Sequence, residues 1–196
     1  MKVILLPALT ATAIIYIACG NGGSSTSKTE TAKTDSVTKP AANNNEPKVS
    51  GSINSIVSGY LNLKNALAND NGTEAAEAAH EISSALVKTE ESALTAEQKK
   101  VYDDVKDDIK EHAEHIGKNG SDIKHQREHF DLLSEDIIDL VKSTGSTRTL
   151  YNDFCPMYND KKGASWLSES KDIKNPYYGK EMSACGEVKE EIKPRG

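Results

Sequence analysis

TAEQKKVYDDVKDDIKEHAEHIGKNGSDIKHQREHFDLLSEDIIDLVKSTG, residues 95–145, reads as two amphipathic helices and the turn between them. Thr95-Ala96-Glu97-Gln98 is a capping box, in which hydroxyl and carboxamide satisfy each other's backbone N–H groups, so a helix opens there. Its apolar stripe is Val101, Val105, Ile109, His112 and Ile116, and Gly117 and Gly120 end it. The following helix carries Ile123, Phe130, Leu133, Ile137 and Val141 at helical spacing and stops at Gly145.

The same period extends upstream. Ile53, Ile56, Val57, Tyr60, Leu61, Lys64 and Leu67 mark a first helix, which Asn69-Asp70-Asn71-Gly72 interrupts. A second restarts near Thr73, with Ala75, Ala79, Ile82 and Leu86 on one face, its alanines small enough for close helix approach. Four helices with short connections predict a mainly α protein built as an up-down four-helix bundle. Composition agrees, because a chain 36% hydrophobic but only 5% aromatic suits an alanine-rich helical domain better than a β-sandwich. The net charge is −6, with acidic residues spread along the helices and no basic stripe, so nucleic acid is not an expected partner.

Towards the N-terminus the composition changes. Met1-Lys2 precedes an uncharged apolar run, Val3 to Ala18, which is shorter than the roughly 20 residues a membrane-spanning helix needs. With Cys19-Gly20 following, residues 1–18 read as a lipoprotein signal peptide and Cys19 as the lipidated residue. Tyr16 stands where leucine is usual, and an ordinary secretory leader is the alternative. The Gly/Ser/Thr/Asn/Pro-rich residues 19–50 read as a disordered tether, with Thr34-Asp35-Ser36-Val37 as a weak glycan-acceptor motif. Residues 51–196 form the folded domain. The expected location is the bacterial cell envelope, with the N-terminal lipid in a membrane and the domain in the periplasm.

Beyond Gly145, aromatic residues cluster among turn signals such as Asn159-Asp160 and Asn175-Pro176, predicting an irregular, short-stranded C-terminal cap. Leu132 points away from the apolar stripe of its helix, flanked by His125 and His129, and the cap is expected to fold over that face. The cap carries two sulfur pairs, Cys155-Pro156-Met157 and Met182-Ser183-Ala184-Cys185. His112-x-x-His115 and His125-x-x-x-His129 put four of the five histidines within 18 residues. Thiolates and thioethers favour soft ions such as Cu(I), and imidazole suits copper and zinc. Each feature also has an ordinary reading. Cys155 and Cys185 make a disulfide in an oxidising compartment; the methionines fill packing gaps; His112 is a hydrogen-bonded core residue; His115, His125 and His129 sit on flanks, at the surface or in interhelical hydrogen bonds.

The chain resembles a domain-of-unknown-function family of small exported bacterial lipoproteins, also found fused to periplasmic adaptor proteins of copper/silver efflux systems. The resemblance rests on His115-Ile116, His125-Gln126-Arg127-Glu128-His129-Phe130, Cys155-Pro156-Met157, Gly163 to Ser168, Ile173 to Gly179 and Met182-Ser183-Ala184-Cys185-Gly186, over roughly Ser52 to Ile192. It implies binding of a soft metal ion, Cu(I) or Ag(I), as a buffer or chaperone linked to efflux, with an efflux adaptor or other envelope protein as partner. The ligands it points to are Cys155, Met157, Met182, Cys185, His115, His125 and His129. The alternative is a disulfide-stapled structural or protein-interaction module without metal. An enzyme is not expected, since the sequence holds no HExxH, Gly-rich phosphate loop or GxSxG.

Overall fold

Local capping signals set the helix ends. The computed structural model describes residues 46–195, in which α1 runs Glu46–Ala68, α2 Gly72–Val87, α3 Ala96–Lys118 and α4 Ile123–Thr144. The leader, Cys19 and the Thr34–Val37 motif lie outside these residues. Helix α1 begins at Glu46, ahead of the Gly51 boundary read from composition. Pro47 falls in its first turn, where a missing backbone N–H breaks no helical hydrogen bond. Asn71 caps α2 by accepting the Glu74 N–H at 3.2 Å. Thr95 and Gln98 complete the reciprocal capping box at 3.2 and 3.0 Å, and Asp122 accepts the His125 N–H at 3.1 Å to open α4. Gly145, at φ 82°, takes the backbone out of α4. No helix among the described residues is long and apolar enough to cross a membrane.

Successive helices pack as neighbours, and α4 returns to α1. Ile56, Leu63, Leu67, Ile82, Ile109, Ile116, Leu133 and Ile137 are fully buried between them. At Gly59 a Cβ would stand 3.0 Å from Ile82 Cγ1, so the missing side chain lets α1 and α2 approach closely. The buried stripe of α3 is Tyr102, Val105, Ile109, Ala113 and Ile116, rotated by one residue from the expected one at Val101 and at His112. Burying the large Tyr102 and the small Ala113 leaves Val101 and His112 half-buried at the edge.

The cap is a three-stranded antiparallel sheet in the order β2-β1-β3, with β1 Leu150–Cys155, β2 Ala164–Ser168 and β3 Glu187–Ile192. Charged residues cover β3, which blunts its open edge. The cap does not fold over Leu132, which is 48% exposed. It docks on the other flank of α4, where Arg127 Nε donates to the Pro176 carbonyl at 2.8 Å and the Phe130 and Tyr177 rings lie 5.5 Å apart. One leucine offers little apolar area. Trp166 and Tyr177, packed edge-to-face at 5.8 Å and both buried, remove far more apolar area from water, and Tyr177 meets Phe130 of α4.

One buried hydroxyl joins the three parts. Tyr60, fully buried on α1, stacks on Phe130 at 5.2 Å. Ser134 Oγ donates its proton to the Phe130 carbonyl at 2.7 Å. The Tyr60 O–H therefore donates to Ser134 Oγ at 2.8 Å, and its oxygen accepts the Leu167 N–H of β2 at 3.1 Å. Burial holds the Tyr60 phenol well above its ordinary pKa, so it stays protonated as a donor. Replacing Tyr60 with Phe strands the Leu167 N–H and is expected to destabilise the domain by about 1–3 kcal/mol, read as a lower urea midpoint at unchanged slope.

A second buried group is less well served. Asp153 of β1 stands opposite Trp166 in the ladder, and neither its carboxylate oxygens nor Trp166 Nε1 has a hydrogen-bond partner among the described residues. Burial pushes the Asp153 carboxyl up to about 7, against the pull of the Lys64 ammonium. A carboxyl whose folded pKa lies above its unfolded value contributes stability below the unfolded pKa, and that contribution is lost as pH rises to the folded one. Asp153→Asn is therefore expected to be more stable than the wild type at pH 8 in denaturant titrations. It should also lack the decline from about pH 4 to pH 7 that this carboxyl imposes.

Candidate metal centre

The α3–α4 hairpin brings the histidines together. His112 and His115, three apart, occupy the end of α3, while His125 and His129, four apart, occupy the start of α4. The four-residue connection 119–122 makes the helices antiparallel neighbours, so the two pairs face one another. Polar anchors hold that geometry. Asn119 Nδ2 donates to the His115 carbonyl at 2.7 Å. Buried Gln126 donates through Nε2 to the carbonyls of Ile116 at 3.1 Å and Gly72 at 2.9 Å, tying α4 to the end of α3 and the start of α2.

His129 is the hub of the cluster. It stacks on His115 at 4.3 Å between ring centroids, meets His125 edge-on at 4.6 Å, and lies 5.3 Å from His112. One ring nitrogen from each of His115, His125 and His129 falls within 4.8 Å of the others. Nitrogens around one ion at metal–nitrogen bonds of about 2.0–2.1 Å lie up to about 4 Å apart, so small side-chain rotations close the site. His115 is exposed and the other two half-buried, leaving a path from solvent. Glu128 places a carboxylate oxygen 3.7 Å from His125 Nδ1.

His112 enters this cluster from outside the expected ligand set. Its Nδ1 lies 3.1 Å from Nδ1 of His129, a hydrogen bond in which one ring donates and the other accepts. When His129 is the donor, its Nε2 keeps a free lone pair for an ion, and His112 fixes that tautomer. The His112-x-x-His115 spacing carried the signal, but the apolar stripe assigned His112 to the core.

Burial lowers the pKa of His112, although Glu111 and Asp108 pull it the other way. Burial likewise lowers that of His129, helped by the neighbouring His115, His125 and His112. Both rings are therefore neutral at pH 7, the form that ligates a metal.

The sulfur residues form a separate group. Cys155, fully buried, and Cys185, half-buried, the pair expected as a possible disulfide, meet as thiols in hydrogen-bond contact. Burial and this contact push the Cys185 thiol up to about 11. Met157 and Met182 are 45% and 38% exposed, so neither fills a packing gap. Among the described residues neither cysteine joins the histidine trio. The cap that carries the cysteines docks on the Arg127 flank of α4, while His129 meets His112 and His115 of α3.

A family described as "Protein of unknown function (DUF3347)" matches residues 56–149. This span covers most of α1, all of α2 to α4 and the four clustered histidines, and stops before β1. No curated protein and no solved structure matches the chain.

Lowered imidazole pKa values contribute stability that is complete above the unfolded pKa near 6.5 and lost as pH falls below it. Proton-detected titration of the metal-free domain is expected to place His112 and His129 below 6.5; ordinary values for both would contradict the packing described.

Proposed function

We propose that this domain binds one transition-metal ion between α3 and α4, with His115, His125 and His129 as ligands and His112 as the residue that orients His129. The observation carrying this reading is the approach of a nitrogen from each of three imidazoles to within 4.8 Å at the end of the α3–α4 hairpin. Imidazole is a borderline ligand, so the cluster suits copper or zinc, and an all-nitrogen set holds Cu(I) or Ag(I) less tightly than sulfur does. Three ligands and a solvent-open fourth position describe a site that exchanges its cargo, as a buffer or chaperone requires.

In this reading the ion is cargo. The chain is a lipoprotein anchored through Cys19, its domain sits in the periplasm, and the acceptor is an efflux adaptor or another envelope protein. The leader pattern and the family resemblance support that setting. A second reading, a disulfide-stapled interaction module, draws on the contact between Cys155 and Cys185.

Competition titration of the purified chain with Zn(II) or Cu(II) against a chelator of known affinity tests the proposal. One equivalent is expected to bind at the hairpin. Loss of a partner that merely orients a ligand costs 10–100-fold in affinity, so His112→Phe should weaken binding by about that factor and His115→Ala/His125→Ala by more. Affinity should also fall as pH drops below about 6.5, because protons compete for the same nitrogens. Unchanged binding by the double-alanine variant would overturn the assignment.

A further inference from the structure

The two thiols of the described residues meet in the cap, and the sheet register puts them there. Phe154 pairs with Glu187 in the β1–β3 ladder, so Cys155, at the end of β1, faces the chain entering β3. Gly186 carries that chain past β1 at φ 143°. A Cβ there would stand 2.8 Å from the Trp166 ring and 3.2 Å from the Phe154 carbonyl, so only glycine brings Cys185 in this close. The two thiols meet as a result.

The segments bearing the methionines are pinned to the same frame. Buried Asn175 donates through Nδ2 to the Cys185 carbonyl at 2.6 Å, and its Oδ1 accepts the N–H groups of Tyr177 and Tyr178 at 2.8 and 3.0 Å. The Cys185 N–H closes a turn onto the Met182 carbonyl at 3.0 Å. The Tyr178 hydroxyl donates to the Met157 carbonyl at 2.9 Å, and the Met157 N–H in turn donates to the Cys185 sulfur. An amide N–H aimed at sulfur stabilises a thiolate or a metal-bound thiolate. Both methionines are exposed at the rim of this frame, although methionine is ordinarily among the more buried residue types.

We propose that Cys155 and Cys185 form a second metal site, separate from the histidine centre, that takes a soft monovalent ion of the Cu(I)/Ag(I) class. The two thiolates hold the ion, and the exposed thioethers of Met157 and Met182 receive it at the rim. Loading exchanges protons for metal without a change of oxidation state: one M⁺ replaces two thiol protons, which leave to solvent, giving a bis-thiolate complex of charge −1. The domain then sorts ions by ligand softness, with borderline ions at the imidazoles and soft ones at the sulfurs. This site stands or falls independently of the histidine reading, since the two share no ligand.

Ag(I) is the probe, used on the reduced full-length chain. Binding of one equivalent should block alkylation of the half-buried Cys185 in the wild type, measured by intact mass; this readout needs no substitution of a buried residue. His115→Ala/His125→Ala should keep that protection in full. Met157→Leu/Met182→Leu, which alters exposed side chains only, should weaken Ag(I) binding by about 10-fold or more in competition titrations. Cys155→Ser/Cys185→Ser should abolish tight Ag(I) binding and leave Zn(II) binding at the histidines unchanged. Equal alkylation with and without Ag(I), loss of protection in the histidine variant, or a quantitative Cys155–Cys185 disulfide in protein isolated without reductant would each overturn the proposal. The last result would assign the pair to a covalent staple of the cap.

Discussion

A single polar group in an apolar interior sets the relation between bundle and cap. The Tyr60 hydroxyl sits where α1, α4 and β2 meet, and each of its hydrogen-bonding valences is used. An unpaired hydroxyl or amide there would cost about 1–3 kcal/mol, so only one placement of the sheet against the helices leaves both the phenol and the Leu167 N–H satisfied. The Arg127 guanidinium adds a second tie, donating to the carbonyls of Pro176 and Leu67 and pairing with Asp70 at 2.6 Å. That arginine connects the α1–α2 turn, α4 and the cap, and its charge on Asp70 holds that carboxyl below the ordinary carboxylate range.

This placement also decides where the candidate ligands lie. With the cap on the Arg127 flank, the α3–α4 seam remains open, and the four imidazoles face each other with neither cysteine among them. Solvent reaches His115, while His112 and His129 lie deeper and stay neutral. The thiols lie instead among the aromatic residues and the Asn175 frame of the cap. Two ligand types that look like one site along the chain thus become two environments, one borderline and partly wet, the other soft and mostly dry.

Much of the bundle was legible from short-range signals. The Thr95–Gln98 capping box, the Asn71 and Asp122 caps and the glycine after α4 act within a single turn, and helical periodicity over α1 to α4 is a local property of the chain. The short strands after Gly145 were also readable from aromatic residues between turn formers. Two assignments on the helices went astray for one reason: the apolar count at a given angle does not say which neighbour covers it. His112 looked central on α3 but lies at its edge beside His129, and Leu132 looked like a docking point but stays exposed.

The sequence by itself determined the helices, their order, the antiparallel hairpin that pairs the histidines, and the proximity of each cysteine to a methionine. Those are consequences of backbone geometry over a few residues. Only the tertiary structure decided that the two cysteines meet each other and stay out of the histidine trio. That outcome depends on burying Trp166 beneath Tyr177 and Tyr177 against Phe130, and on satisfying one phenol across three elements. Both are properties of residues some 30 to 110 positions apart, which no local pattern encodes.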